Sequence, residues 1–194
     1  MLQSLAPLQT HAPGNIYLVG LMGAGKTSVG RYLAKRLGKT FYDTDLEIER
    51  RTGVKIPVIF DIEGEAGFRA RETVVLRELT QLDDIVLATG GGVVINADNR
   101  NQLLKNGVVV YLRASPTELW QRTRNDRNRP LLQTADPHAR LEQLYIERDP
   151  LYREVASIIE DTGSQSVRNL AHRLEQRLQD HFRTAPPDNP DAAD

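Results

Sequence analysis

Residues 20–28 read GLMGAGKTS, with Gly20, Gly25, Lys26 and Thr27 at the spacing of a phosphate-cradling P-loop. A short apolar run, Ile16–Val19, precedes the loop, and an amphipathic stretch in which Val29, Leu33 and Leu37 recur every four residues follows it. Strand, loop and helix in that order give the spacing a physical meaning, and a mere flexible glycine turn is set aside on that context. Gly20, Gly23 and Gly25 let the backbone curl until several N–H groups point at phosphate oxygens. The dipole of the following helix favours the same anion. Lys26 is placed to reach the β- and γ-phosphates, and Thr27 to offer a hydroxyl to Mg²⁺. The motif implies a nucleoside triphosphate.

The next extended run ends in FYDTD, with Asp43 and Asp45 one residue apart. In an extended chain both carboxylates point to one side. Two like charges that close repel and raise one pKa, unless a cation sits beside them. Mg²⁺ next to the P-loop is the natural cation, held by a carboxylate and its own waters. One aspartate can then serve the metal shell while the other takes the proton of an attacking hydroxyl. Either aspartate also suits the N-cap of a helix over LEIERR, and capping alone would be the simpler account. The upstream P-loop reverses that weighting for at least one of them.

Thr89–Gly92 places Gly90, Gly91 and Gly92 in a row after a buried apolar run. Adjacent glycines weaken any regular element, so they fit a stretch where bare backbone meets a ligand, although a tight turn is the simpler alternative. Arg69 and Glu72 share a helix face beside Phe68, Val75 and Leu79. Such a pair is usually a surface contact, but its place at the edge of the buried side suits a guanidinium held by the glutamate. Arg148 stands in the stripe Leu141, Leu144, Tyr145, Tyr152, where an apolar residue is expected. A buried charge needs an anion, and arginine's planar fork fits a carboxylate. Residues 122–132, RTRNDRNRPLL, set Arg122, Arg124, Arg127 and Arg129 against Asp126. Arg124 and Arg127 read as solvated loop residues. A cationic loop beside a P-loop also suits a phosphate-covering lid that brings one arginine to the transferring group.

These residues need a scaffold, and the chain alternates strand and helix signals to supply one. Strands are expected at 15–20, 40–43, 84–89, 107–112 and 157–160, and helices at 26–37, 44–52, 64–82, 97–105, 116–123, 138–149 and 166–182. The strands at 84–89 and 107–112 are nearly all apolar, as in a parallel sheet buried on both faces. The last helix aligns Val167, Leu170, Leu174, Leu178 and Phe182 on one stripe. The expected fold is α/β: a three-layer α/β/α sandwich with a central five-stranded parallel sheet, its ligands outside the carboxyl ends of the strands.

A chain of 194 residues supports one domain with a full core. Net charge is −1, which favours neither nucleic acid nor a membrane surface as partner. There are no cysteines, so disulfides and thiolate metal sites are excluded. No apolar run approaches bilayer length, and the start lacks signal-peptide features, so a cytoplasmic protein is expected. Residues 1–14 and 183–194 read as disordered tails around a domain over 15–182, the C-terminal one carrying three prolines and three aspartates. His11, His138, His172 and His181 show no ligand spacing.

GLMGAGKTSVG, FYDTD, GEAGFRARE, ATGGG, RPLL and ERDPLY follow the order and spacing of shikimate kinases, and residues from about 15 to 181 resemble that family. The resemblance implies transfer of the ATP γ-phosphate to the 3-hydroxyl of shikimate, on the way to chorismate and the aromatic amino acids. It implies that Gly23, Ala24, Gly25, Lys26, Thr27 and Ser28 hold the phosphates. Thr27 is then a Mg²⁺ ligand, with Asp43 behind it through water. Asp45 binds the shikimate hydroxyls and is the base. Arg69, Arg148 and Gly91, with Gly90 and Gly92 beside it, bind shikimate, the arginines taking its carboxylate. Lys26 and Arg129 are then catalytic, Arg129 being the arginine that contacts ATP from a lid over about 122–133. Arg122 and Gln165 fall toward the adenine end. One departure is mild: Lys26-Thr27-Ser28 stands where Lys-Ser-Thr is more usual, which keeps a hydroxyl on the metal. A monomer is expected.

Another small-metabolite kinase, such as a gluconate kinase, would share the P-loop and lid but need no paired arginines for a ring carboxylate. A nucleoside monophosphate kinase fits less well, because the lid lacks an acidic cluster after its arginines. A GTPase would need an Asn-Lys-x-Asp or Thr-Lys-x-Asp string, and neither occurs.

Overall fold

The computed structural model describes residues 14–126 and 128–184. Five strands, β1 (Asn15–Val19), β2 (Thr40–Asp43), β3 (Ile85–Ala88), β4 (Gly107–Arg113) and β5 (Ile158–Asp161), form one sheet in the order β2-β3-β1-β4-β5. Every pairing is parallel, with Leu18 opposite both Ala88 and Val110. Among the described residues seven α-helices surround it: α1 (Lys26–Leu37), α2 (Thr44–Thr52), α3 (Ile56–Leu79), α4 (Ala97–Asn106), α5 (Pro116–Thr123), α6 (Pro137–Val155) and α7 (Val167–Thr184). The crossover from β1 to β2 runs opposite to those from β3 to β4 and β4 to β5. With right-handed connections, α1 therefore lies on one face and α3, α4 and α6 on the other. Packing agrees: α1 lies against α7, whereas α4 touches α3 and α6. The expected three-layer α/β sandwich is what forms.

The strands are apolar because both faces are covered; Ile16–Val19, Ile85–Leu87 and Val109–Leu112 are buried almost completely. On α1, Val29, Leu33 and Leu37 all face this core. On α7, Leu170, Leu174 and Leu178 are buried, while Val167 at the helix start is exposed. Among the described residues no helix is long and apolar enough to cross a membrane.

Two helices differ from expectation. Residues 56–63 are helical and join the expected helix at Gly64, whose φ of 69° and ψ of −179° break α3 into two pieces. A glycine tolerates that conformation, so the chain turns there without losing either piece. Helix α6 runs on to Val155 through Pro150, where a stop after 149 is expected. Proline removes one helical N–H, but Tyr152 and Val155 beyond it are buried. Their packing carries the helix past the break. The tails expected over 1–14 and 183–194 fall almost wholly outside the described residues. Within them, α7 continues to Thr184.

Candidate active site

β1 delivers the chain into the P-loop at its carboxyl end, between β3 and β4, where the connections diverge to opposite faces. Gly25 caps α1 in the left-handed region (φ 94°), with no side-chain hydrogen bond to the first amides of the helix. Those amides are thus available to phosphate oxygens. Gly23 has φ 82°, and a Cβ there would come within 2.6 Å of Thr123 Cγ2 at the end of α5. Backbone sign and space both demand glycine. Lys26 is buried and donates from Nζ to the carbonyls of Gly20 (2.7 Å) and Leu21 (2.9 Å). An ammonium has three protons, so two carbonyls fix its position and leave one donor.

Asp43 ends β2 and caps α2. Its Oδ1 accepts from the amides of Asp45 and Leu46, and its Oδ2 accepts from the Thr27 hydroxyl at 2.7 Å. Capping and site geometry are therefore combined in one carboxylate. The expectation that Asp43 and Asp45 share an extended segment needs correction: the cap starts α2 at Thr44, so Asp45 sits in its first turn. The period of a strand does not apply, yet the helix entry turns Asp45 into the same cavity as Asp43, Lys26 and Thr27.

Two cavities meet here. One is lined by Lys26, Thr27, Ser28, Asp43 and Arg122, the other by Phe60, Phe68, Arg69, Gly90, Gly92 and Arg148. Met22, Asp45, Gly91 and Arg129 line both. Asp45 thus stands where the two compartments join. Burial, then the nearby Glu72 and Asp43 carboxylates, push its pKa up to about 7, and Oδ1 is buried without a hydrogen bond among the described residues. Burial lowers the Lys26 pKa to about 8, opposed chiefly by Asp45.

The second cavity is cationic on one side. Arg69 Nη1 meets the fully buried Glu72 at 2.8 Å, and its Nη2 meets Glu65 at 2.9 Å. The glycine row makes this possible. A Cβ on Gly92 would overlap the Arg69 guanidinium, and one on Gly90 would overlap Glu72 Oε1. Arg148 is only 3% exposed and has no ion pair among the described residues. Its Nη1 donates to the Gly91 carbonyl at 3.2 Å, while Nε is buried without a partner. Burial holds its pKa below the ordinary value. A sequestered guanidinium with no ion pair among the described residues, facing a cavity, favours an anionic occupant.

On the loop after α5, Arg129 donates from Nε to Asp126 Oδ2 at 2.9 Å, a bond that uses neither terminal nitrogen of the fork. Arg127 lies outside the described residues. Arg122 bonds Gly23 O, Thr162 Oγ1 and Gly163 O, tying the P-loop to the turn after β5. A third cavity, lined by Ala24, Ser28, Arg122, Gly163 and Gln165, opens beside it. Each site residue that the resemblance implies thus lines one of three adjoining compartments.

A family model described as shikimate kinase matches residues 22–179. The chain belongs to the shikimate kinase family. A protein named shikimate kinase from Thiobacillus denitrificans is 64% identical over 164 residues, covering 84% of this chain and 90% of that one. One from Chromobacterium violaceum is 60% identical over 174 residues, covering 90% and 95%. The solved shikimate kinase from Acinetobacter baumannii in complex with shikimate is 53% identical, with a TM-score of 0.86 over 88% of this chain and 95% of that one. A gluconokinase from Sinorhizobium meliloti, 17% identical with a TM-score of 0.55 over 90% and 99%, shares the fold alone.

Several wall residues of this shikimate kinase family member escape sequence reasoning. Ile56 and Phe60 come from the helical piece before Gly64, and Met22 and Leu131 complete the apolar lining. Ile56 and Phe60 fall in a segment with no clear period. Thr44 accepts from the Gly90 amide at 2.9 Å, which joins α2 to the glycine row. Nothing in its sequence context marks it.

Proposed function

We propose that the protein transfers the γ-phosphate of ATP to the 3-hydroxyl of shikimate, a step toward chorismate and the aromatic amino acids. The observation that carries this reading is Arg148, a buried guanidinium with no ion pair among the described residues, in the same cavity as Arg69 and Asp45. Two arginines suit one small carboxylate, and a ring held by that carboxylate brings a hydroxyl to Asp45.

Asp45, with its pKa near 7, is about half ionised at neutral pH, and its ionised form accepts the hydroxyl proton. Lys26 and the amides of Gly23–Ser28 take the phosphates, and Arg129 brings the terminal nitrogens of its fork to the transferring group. Arg122 and Gln165 border the compartment for the adenine end. Residues 122–133 act as the lid of a catalytic unit spanning 15–182, excluding water from the transfer.

The donors fit magnesium. Thr27 Oγ1 and Asp43 Oδ2 converge at 2.7 Å at the rim of the phosphate compartment. Hard oxygens with a single carboxylate are what this ion accepts when phosphates and waters fill its remaining positions. Thr27 would hold it directly and Asp43 through water. Bound there, it would draw charge from the phosphate oxygens.

In this reading the protein works as a cytoplasmic monomer on diffusible metabolites, with no nucleic acid or membrane partner. The test is ADP release in a coupled assay, with shikimate set against gluconate, quinate and nucleoside monophosphates. Turnover confined to shikimate is expected; preference for any other acceptor overturns the assignment.

A further inference from the structure

Tyr152 lies one helical turn beyond Arg148 on α6 and is wholly buried. Its ring stacks on Tyr111, with centroids 4.8 Å apart, and its hydroxyl donates to the Gly91 carbonyl. Arg148 Nη1 donates to that same oxygen at 3.2 Å. A carbonyl has two acceptor sites, and here both are taken by side chains of one helix.

The consequence follows from peptide geometry. No cis peptide occurs among the described residues, so the N–H of Gly92 points away from the Gly91 carbonyl. Gly91 and Gly92 have no side chains to resist rotation, and a glycine–glycine peptide flips more readily than any other. Two donors from α6 select one orientation. They hold the carbonyl toward the helix and turn the neighbouring amide the other way, in a stretch that lines the cavity beside Arg69.

We propose that Tyr152 is a positioning residue: with Arg148 it clamps the Gly91 carbonyl and so fixes the glycine row and the Arg148 fork for the acceptor substrate. This rests on the shikimate reading above. Tyr152 touches the loop without lining the cavity, and the P-loop is not among its hydrogen-bond partners. Its loss therefore weakens acceptor binding selectively. Tyr111 supplies an internal control, because its ring packs against Tyr152 while its hydroxyl bonds Asp149 at 2.9 Å, off the loop.

The experiment measures steady-state kinetics of the full chain and of Tyr152→Phe and Tyr111→Phe, varying shikimate and ATP in turn. Tyr152→Phe is expected to raise the shikimate KM about 3- to 10-fold, the effect of one buried hydrogen bond. The ATP KM stays within about twofold, and Tyr111→Phe leaves both constants within that margin. An unchanged shikimate KM, an equal rise for both substrates, or the same rise in Tyr111→Phe overturns the proposal. Should Tyr152→Phe fail to fold, 3-fluorotyrosine at position 152 keeps the shape and strengthens the donor. A lowered shikimate KM at constant ATP KM is then expected, and no shift overturns the clamp. If the unaltered protein does not phosphorylate shikimate, the functional reading fails instead, and the two failures are distinct.

Discussion

Thr27 donates its hydroxyl to Asp43 Oδ2 across 2.7 Å, joining the first turn of α1 to the end of β2. The same carboxylate caps α2 through its other oxygen, so one side chain sets both the metal rim and the helix that carries Asp45. Asp43→Asn separates these duties, since asparagine caps as well as aspartate. The variant should keep its melting temperature within a few degrees yet need about 10- to 100-fold more Mg²⁺ for half-maximal turnover. Unchanged magnesium dependence would remove Asp43 from the metal shell.

Arg69→Ala and Arg148→Ala should each weaken shikimate binding by about 10- to 100-fold, the range for a charge-assisted hydrogen bond, with far less effect on ATP. Calorimetric titration of each ligand checks this. Equal losses for both ligands would refute the carboxylate clamp.

Gly92→Ala tests the same clamp from the other side. Gly92 has φ −105°, which any residue adopts, so an added methyl brings no backbone strain. It meets the Arg69 guanidinium instead. The expected result is a raised shikimate KM at nearly constant ATP KM. Wild-type constants for both would show that Arg69 need not lie on bare backbone.

Arg129→Ala should lower kcat by about 10²–10³, as for loss of one preorganised charge-stabilising donor. Rapid-quench measurement of the transfer step is the appropriate readout. An unaltered rate would place Arg129 outside the closed site.

The pH dependence follows from Asp45 near 7 and Lys26 near 8. As pH falls through about 7 the base is protonated, and as it rises through about 8 the lysine loses its charge. The profile of kcat/KM should be a bell with limbs near those values. Stability carries the opposite sign for Asp45. Its folded pKa lies above the ordinary 3.8, so its contribution is present below that value and is lost as pH rises through 7. Asp45→Asn should therefore abolish turnover while melting higher than the unaltered protein, with the gap opening between pH 4 and 7. Equal melting temperatures at pH 8 would show that ionised Asp45 carries no folding cost.

Much of this site is legible from residue order. The P-loop needs only local geometry, so Gly23–Ser28 and the flanking β1 and α1 emerge from spacing. Arg69 and Glu72 pair within one helix, and three residues of separation suffices to foresee it. Arg148 is visible as a charge in an apolar stripe. The helix over 56–63 is not legible, because Pro57, β-branched neighbours and Gly64 all read as interruptions. In the structure Pro57 lies within the first turn, and Gly64 becomes a bend between two helical pieces. Pro150 misleads for the same reason.

What the sequence alone determined is therefore the set of elements with local rules: a phosphate loop, buried parallel strands, amphipathic helices and the types of charge they bear. Only the tertiary structure decided which charges meet. Periodicity reports that Tyr152 and Arg148 share a face, but not that both end on the Gly91 carbonyl, 57 residues from Arg148 in the chain. It shows Asp45 near a P-loop, but not that burial beside Glu72 and Asp43 moves its pKa toward neutrality. Those properties depend on distances between segments remote in sequence and on the water excluded between them, and neither exists until the chain has packed.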